Sequence, residues 1–210
     1  QGLVSLDPNT GKINFSRWFR SRANDSVNAA NPIVIGNQVF CSAAYYGVGS
    51  FLLDIAEDGK QFTEVWSTNE RRKKNRRLDP AVEIHWTTPI LHDGHLYAFS
   101  GRNEPDAQFR CVELKTGRVK WSRDERWRAY SSKQPNVYGR GSTILADGKL
   151  FVLGEGGLIG LFEVNVAKPV ELGRHQVPEF HYPCWAAPIL SNKRMVIRSE
   201  DYMICFDVAK

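Results

Sequence analysis

Three short stretches hold most of the side chains able to bind or react: Glu83-Ile84-His85-Trp86-Thr87, Tyr138-Gly139-Arg140-Gly141 and His181-Tyr182-Pro183-Cys184-Trp185. His85, Trp86, Tyr138, Arg140, His181, Tyr182 and Trp185 supply imidazoles, a guanidinium and aromatic faces. Brought to one rim, they suit a planar, anionic or carbohydrate-like ligand through stacking and charge-assisted hydrogen bonds. The competing reading is packing, with the aromatics closing a channel and Arg140 satisfying loop carbonyls. His85 and His181 are also conceivable metal ligands, and His181 with Cys184 a base and nucleophile. Two histidines from separate loops, with no third group to orient them, assign neither a catalytic residue nor a metal ligand.

A second chemical feature is the basic run Arg71, Arg72, Lys73, Lys74, Arg76 and Arg77, interrupted by Asn75. Such a cluster could hold a polyanion or an anionic lipid. No aromatic interleaves it as single-stranded nucleic-acid binding requires, and the net charge of the chain is only +5, so nucleic acid is not expected as a partner. The alternative is a solvated, protease-sensitive loop. Asp124-Glu125-Arg126-Trp127-Arg128-Ala129-Tyr130 combines arginine with aromatics, either as an interface or as a fold-back over a sheet edge. Cys41, Cys111, Cys184 and Cys205 form no Cys-x-x-Cys pair. Cys111 and Cys205 fall on equivalent strand positions, where a small buried hydrophobe is expected.

Something must position these loops, and the rest of the chain is repetitive. One phrase, Val112-Glu113-Leu114-Lys115-Thr116-Gly117-Arg118-Val119-Lys120-Trp121, joins two alternating runs through a Thr-Gly turn. It occurs earlier with Thr10 and Gly11, closing on Phe15, and more loosely with Gly59, closing on Trp66. A second phrase, Pro-Ile-Leu or its variant followed by a tight turn, recurs at Pro32, Pro89, Thr143 and Pro188, with spacings of 57, 54 and 45 residues. Gly36-Asn37, Asp93-Gly94, Asp147-Gly148 and Asn192-Lys193 can supply the positive φ of a two-residue hairpin. Each unit then has four strands, the first apolar and buried near an axis, the fourth an alternating outer edge. The period is that of a four-stranded blade, and radially stacked blades make a β-propeller.

The segments 2–19, 31–67, 87–123, 142–175 and 186–207 amount to about four blades in one domain spanning 1–210. This predicts the C-terminal half of a larger seven- or eight-bladed ring, whose bare apolar faces another chain or fragment covers. Gln1-Gly2-Leu3 enters a strand without an initiator Met or leader, which predicts a trimmed or truncated chain. With 42% hydrophobic residues and no run long enough to cross a bilayer, the chain reads as a soluble all-β protein.

The Leu6-Asp7-x-x-Thr10-Gly11-Lys12 and Val112-Glu113-x-x-Thr116-Gly117-Arg118-x-x-Trp121 patterns resemble the tryptophan-docking repeat of the pyrroloquinoline-quinone-like β-propellers, which include quinoprotein alcohol dehydrogenases and BamB-type assembly scaffolds. The resemblance implies that Thr10, Gly11, Gly59, Trp66, Thr116, Gly117 and Trp121 clasp neighbouring blades. It also implies a bacterial protein exported to the periplasm or secreted. The enzymes of this superfamily use vicinal cysteines and a calcium held by acidic and amide side chains, and no such set can be matched here, so no cofactor is evident. The expectation is a non-catalytic scaffold binding a protein or small ligand at the channel mouth. Two alternatives are a fragment of a dehydrogenase using the quinone and calcium, and a polyanion binder acting through Arg71–Arg77. On the binding reading, Trp86→Ala and Arg140→Ala weaken a ligand and leave the melting temperature alone.

Overall fold

The computed structural model describes residues 2–23, 25–69, 80–127 and 136–209. The basic run Arg71–Arg77 lies outside them, as do residues 128–130 of the Asp124–Tyr130 stretch.

Five antiparallel sheets are present among the described residues. The first pairs β1 (Gly2–Leu6) with β2 (Ile13–Trp18); the second runs β3 (Ile33–Ile35), β4 (Gln38–Ala43), β5 (Gly49–Ile55), β6 (Phe62–Ser67). The third runs β7 (Ile90–His92), β8 (His95–Ser100), β9 (Gln108–Glu113), β10 (Arg118–Asp124). The fourth is β11 (Ser142–Ala146), β12 (Lys149–Leu153), β13 (Leu158–Glu163), β14 (Val170–Gln176), and the fifth β15 (Ile189–Ser191), β16 (Arg194–Arg198), β17 (Met203–Asp207). Within every sheet, strands adjacent in sequence are adjacent in space, so each sheet is a meander closed by local turns. The turns between β7 and β8 and between β11 and β12 have positive φ at Asp93-Gly94 and Asp147-Gly148. That is the twist a two-residue hairpin needs.

Four apolar clusters hold the five sheets together, one at each interface. Phe19 and Leu3 meet Cys41, Phe51 and Leu53; Phe40, Leu52 and Trp66 meet Leu96, Ala98, Val112 and Leu114. Tyr97, Phe99, Phe109 and Trp121 meet Leu150, Val152 and Phe162, and Phe151, Leu153 and Ile159 meet Met195, Ile197 and Phe206. The middle strands of each sheet, pressed from both sides, carry the core. In the second and fifth sheets the first strand is not buried throughout as the apolar runs suggested, since Val34 is 69% and Ile189 63% exposed, whereas Ser142 and Thr143 of β11 are buried. Val34 lies on the side of the two-stranded first sheet and Ile189 on the last sheet, whereas Leu91 and Leu145 pack against the neighbouring sheet's core.

One irregularity repeats. In β2, β6, β10 and β14 the register slips by one residue, leaving Asn14, Val65, Lys120 and Leu172 unpaired. A bulge at a fixed place bends the outer strand and re-aims the next side chain. That side chain is Phe15, Trp66, Trp121 and Gly173 in turn. Trp66 reaches across to the third sheet, where Nε1 donates to Leu114 O at 2.8 Å and the ring lies against Gly117. Trp121 reaches the fourth sheet and donates to Asn165 O at 2.8 Å. There the Thr-Gly pair is absent, and Asn165 closes its own turn by accepting from the Ala167 and Lys168 amides. Phe15 has no N–H to give and packs on Phe62 in a tilted arrangement, with centroids 4.9 Å apart. The adjoining Ser5 hydroxyl donates to Gly59 O, and Arg17 pairs with Glu64.

Candidate functional site

At one end of the sheets, the segments that precede β7, β11 and β15 meet the segments that follow β4, β8 and β12. Glu155, on the turn after β12, is the centre of this cluster and is fully buried. Its carboxylate accepts from Arg140 Nε at 2.9 Å, from Arg140 Nη2 at 2.8 Å, from the Arg140 amide at 2.6 Å and from Trp185 Nε1 at 3.1 Å. Its own amide donates to Tyr138 O, and its carbonyl accepts from the Cys184 amide, each at 2.9 Å. One residue therefore ties the entry to the fourth sheet to the entry to the fifth. Burial pushes the Glu155 carboxyl above its ordinary value, and the hydrogen bonds and charge of Arg140 pull against this.

Glycines make the approach possible. A Cβ on Gly139 would stand 2.9 Å from Glu155 Oε1, and one on Gly141 would stand 2.8 Å from the Phe99 ring. The flanked Gly-Arg-Gly thus lies flat against both neighbours, and Arg140 turns inward. Its Nη1 donates to Arg102 O and contacts His85 Nδ1, both at 2.6 Å. A guanidinium can only donate, so His85 Nδ1 accepts and the ring proton sits on Nε2, facing Tyr45 Oη at 3.0 Å. Arg140 also lies over the Trp86 ring, 4.7 Å from its centroid.

The aromatics extend this cluster outward. Trp86 packs on His85 at 5.0 Å and on Trp185 at 5.8 Å, and its Nε1 donates to Trp185 O at 3.3 Å. Trp185 packs on Tyr182, and Tyr182 on Trp127. Trp127 is buried, which gives it the fold-back position rather than a free one. On the other flank Arg102 covers the rings of Tyr45 and Tyr46 at 4.8 and 4.4 Å, and Tyr46 donates to Asp25. A polar cleft of about 470 Å³ opens beside them, lined by Tyr46, Glu83, Arg102, Asn103, Asp106 and Arg110 among others.

Of the seven rim residues anticipated, His85, Trp86, Arg140, Tyr182 and Trp185 come together. His181 is exposed, and its carbonyl accepts from Cys184 Sγ at 3.2 Å. Tyr138 is a correction: it is fully buried between the third and fourth sheets. Residues on either side of the Gly139 kink face opposite ways, so Arg140 reaches the rim and Tyr138 the core. Its hydroxyl donates to Glu171 Oε1 at 2.8 Å and occupies space that any Cβ on Gly160 would take. Sequence reading passed over Glu155, Tyr45 and Arg102, which lie between the second and third strands of their sheets. The available signal for Glu155 was a carboxylate set among Gly154, Gly156 and Gly157.

The electrostatics offer little for covalent chemistry. Burial pushes the Cys184 thiol up to about 12 and the charge of Glu155 adds to it, so the thiolate a nucleophile requires is withheld. Among the described residues, no group of three or more His, Cys, Asp or Glu side chains gathers to hold a metal ion. The Glu155 carboxylate is engaged by Arg140 and by the Trp185 indole.

Sequentially joined four-stranded meanders, packed face to face with their inner edges at a common mouth, define a β-propeller. Residues 1–123 match the family described as outer membrane protein assembly factor BamB, and the chain belongs to that family. Among solved structures it is similar to BamB from Moraxella catarrhalis, with a TM-score of 0.57 and 12% identity over 95% of this chain and 50% of that one. It is also similar to the computationally designed Ika4 protein, with a TM-score of 0.52 and 12% identity over 93% of this chain and 100% of that one. The propeller domain of Cps50 (Swd1) from Myceliophteria thermophila follows, with a TM-score of 0.51 and 12% identity over 81% and 53%. No curated protein sequence matches it. The chain thus spans half the length of the Moraxella protein. No helix among the described residues is long and apolar enough to cross a membrane.

Proposed function

We propose that this chain is a non-catalytic propeller scaffold of the bacterial envelope that binds a protein partner at the channel mouth through Trp86, Tyr182 and Trp185. The observation that carries this reading is that Trp185 and Tyr182 remain 47% and 39% exposed although both are held in fixed packing. Rigid, half-exposed aromatics backed by a satisfied ionic cluster have the make-up of an interface hot spot, since little entropy is lost when they bind. Arg140 supports the surface from behind: Glu155, His85 and Arg102 O engage its nitrogens, so an anion would have to displace them. A small planar ligand stacking on Trp185 is the neighbouring possibility at the same place.

On this reading the recurring glycine and tryptophan are clasps between sheets and take no part in binding. The outward faces of the first and last sheets carry Leu6, Ile13 and Trp18, and Ile189, Tyr202 and Met203, all exposed. They are suited to further blades from another chain or fragment. The family's description supports placement in the bacterial envelope. The test is a Tyr182→Ala/Trp185→Ala double variant of the full-length gene product: partner capture is expected to fall while the melting temperature holds within a few degrees. Unchanged capture by a folded double variant sinks the proposal.

A further inference from the structure

The interface between the fourth and fifth sheets lacks what the two before it contain. Trp66 stands opposite Leu52 and Trp121 opposite Cys111, each directly after the bulged residue. The same register place in β14, opposite Leu161, is Gly173. Six apolar residues of that seat nevertheless have counterparts. Around Trp66 pack Phe40, Leu52, Leu96, Ala98, Val112 and Leu114. Strand pairing makes their counterparts Phe151, Leu161, Met195, Ile197, Phe206 and Val208. All six line a single cavity of about 340 Å³, and Gly173 forms part of its wall. A Cβ added to Gly173 would meet nothing within 4 Å.

The hydrogen-bond acceptor is in place as well. The indole of Trp66 donates to Leu114 O, and that of Trp121 to Asn165 O, one residue beyond Val164. Leu114, Val164 and Val208 are equivalent, since their amides donate to Gly94 O, Lys193 O in the case of Val208, and Gly148 O in the case of Val164. Val208 and Ala209 therefore present the carbonyls at which an indole N–H would aim. His175 and Asp207 border the cavity, and so does Arg174, whose guanidinium turns to the other face of the sheet to pair with Glu171 and cover Tyr138.

We propose that this cavity is a binding socket for a small planar aromatic molecule carrying one N–H donor, of the indole class, which takes the seat that a tryptophan of the chain fills at the two preceding interfaces. Its volume falls at the lower end of ligand pockets, and dry apolar cavities of smaller size admit benzene. The ligand would stack between Phe151 and Phe206 and donate to the Val208–Ala209 turn. Its recognition asks for a donor on one ring edge and no charge.

Titration of indole into the full chain tests this, read by thermal shift and by the methyl resonances of the two methionines. Saturable one-site binding is expected, with a raised melting temperature and a shift at Met195, which lines the cavity, and none at Met203, which is 75% exposed. Gly173→Trp supplies the missing side chain in cis, and should melt higher than the parent and bind indole at least about tenfold more weakly. Naphthalene, equal in shape without the N–H, should bind more weakly than indole. The proposal is overturned if indole does not saturate, if Met203 shifts in place of Met195, or if a folded Gly173→Trp chain binds indole as the parent does. Should Gly173→Trp fail to fold, the Met195 response of the unaltered chain decides the matter alone.

Discussion

Gly117 and Gly148 share one backbone conformation, φ +67°, in different surroundings. A Cβ on Gly117 would come within 2.9 Å of three carbons of the Trp66 ring, and one on Gly148 would meet nothing. Gly148→Ala should cost about 1 kcal/mol for the left-handed conformation alone. Gly117→Ala should cost about 1–3 kcal/mol more, because the indole must be displaced. Urea denaturation of the pair measures the difference, and equal costs would show that Trp66 does not bear on the turn. The thiols give a second residue-scale prediction. Burial pushes Cys41 and Cys184 up to about 12 and Cys111 up to about 11. Cys205 holds the same strand position as Cys111 but is exposed, against the expectation that both would be buried. The third sheet is covered on both faces and the fifth on one, so equivalent strand positions do not share an environment. One thiol should therefore react promptly with a disulfide reagent at pH 8 and three only on unfolding, as stopped-flow labelling would resolve.

Sheets and their turns were legible in the sequence because hairpin chemistry is local. Asp-Gly and Thr-Gly pairs with alternating runs specify strands whatever surrounds them, and the Phe15, Trp66 and Trp121 series marked the outer strand. The mouth was half legible. His85, Trp86, Arg140, Tyr182 and Trp185 stand next to strand starts, where spacing could place them, whereas Glu155 sits in a turn between inner strands and gains its role only from long-range packing. That role reverses one expectation. Arg140→Ala would leave a buried carboxylate without its guanidinium, and should cost about 3–5 kcal/mol where the sequence suggested no change in melting. Trp185→Ala, which removes one hydrogen bond at a half-exposed ring, should cost about 1 kcal/mol. Thermal unfolding of both variants checks the ranking.

A second ionic cluster lies between the third and fourth sheets, where Glu171 receives Arg123 at 2.7 Å and the Tyr138 hydroxyl. Burial raises the Glu171 carboxyl, and the hydrogen bonds of Arg174 and Tyr138 with the charge of Arg123 outweigh it, so the group ends below its ordinary value. A depressed carboxyl stabilises the folded chain above the ordinary carboxylate range, and that contribution disappears as pH falls through the folded value. Glu171→Gln should therefore weaken the chain at pH 7 and approach the parent at pH 3, as unfolding curves at the two pH values would show.

Across the whole molecule, five sheets share four apolar interfaces, and the first and last sheets each keep one face without a neighbour among the described residues. Trp18 is 61% exposed on one of these faces. Faces of that kind associate, so the chain alone should show concentration-dependent self-association by sedimentation, reduced in an Ile13→Ser/Trp18→Ser variant. The proposed binding surface, by contrast, lies where the repeat is broken, at the aromatic mouth that Glu155 and Arg140 hold together. The most direct measurement is quantitative capture of envelope proteins by the full-length gene product, comparing the parent with the Tyr182→Ala/Trp185→Ala variant at matched folding. A discrete set of partners lost from the variant is the predicted result; an identical set on both would contradict a binding role for the mouth.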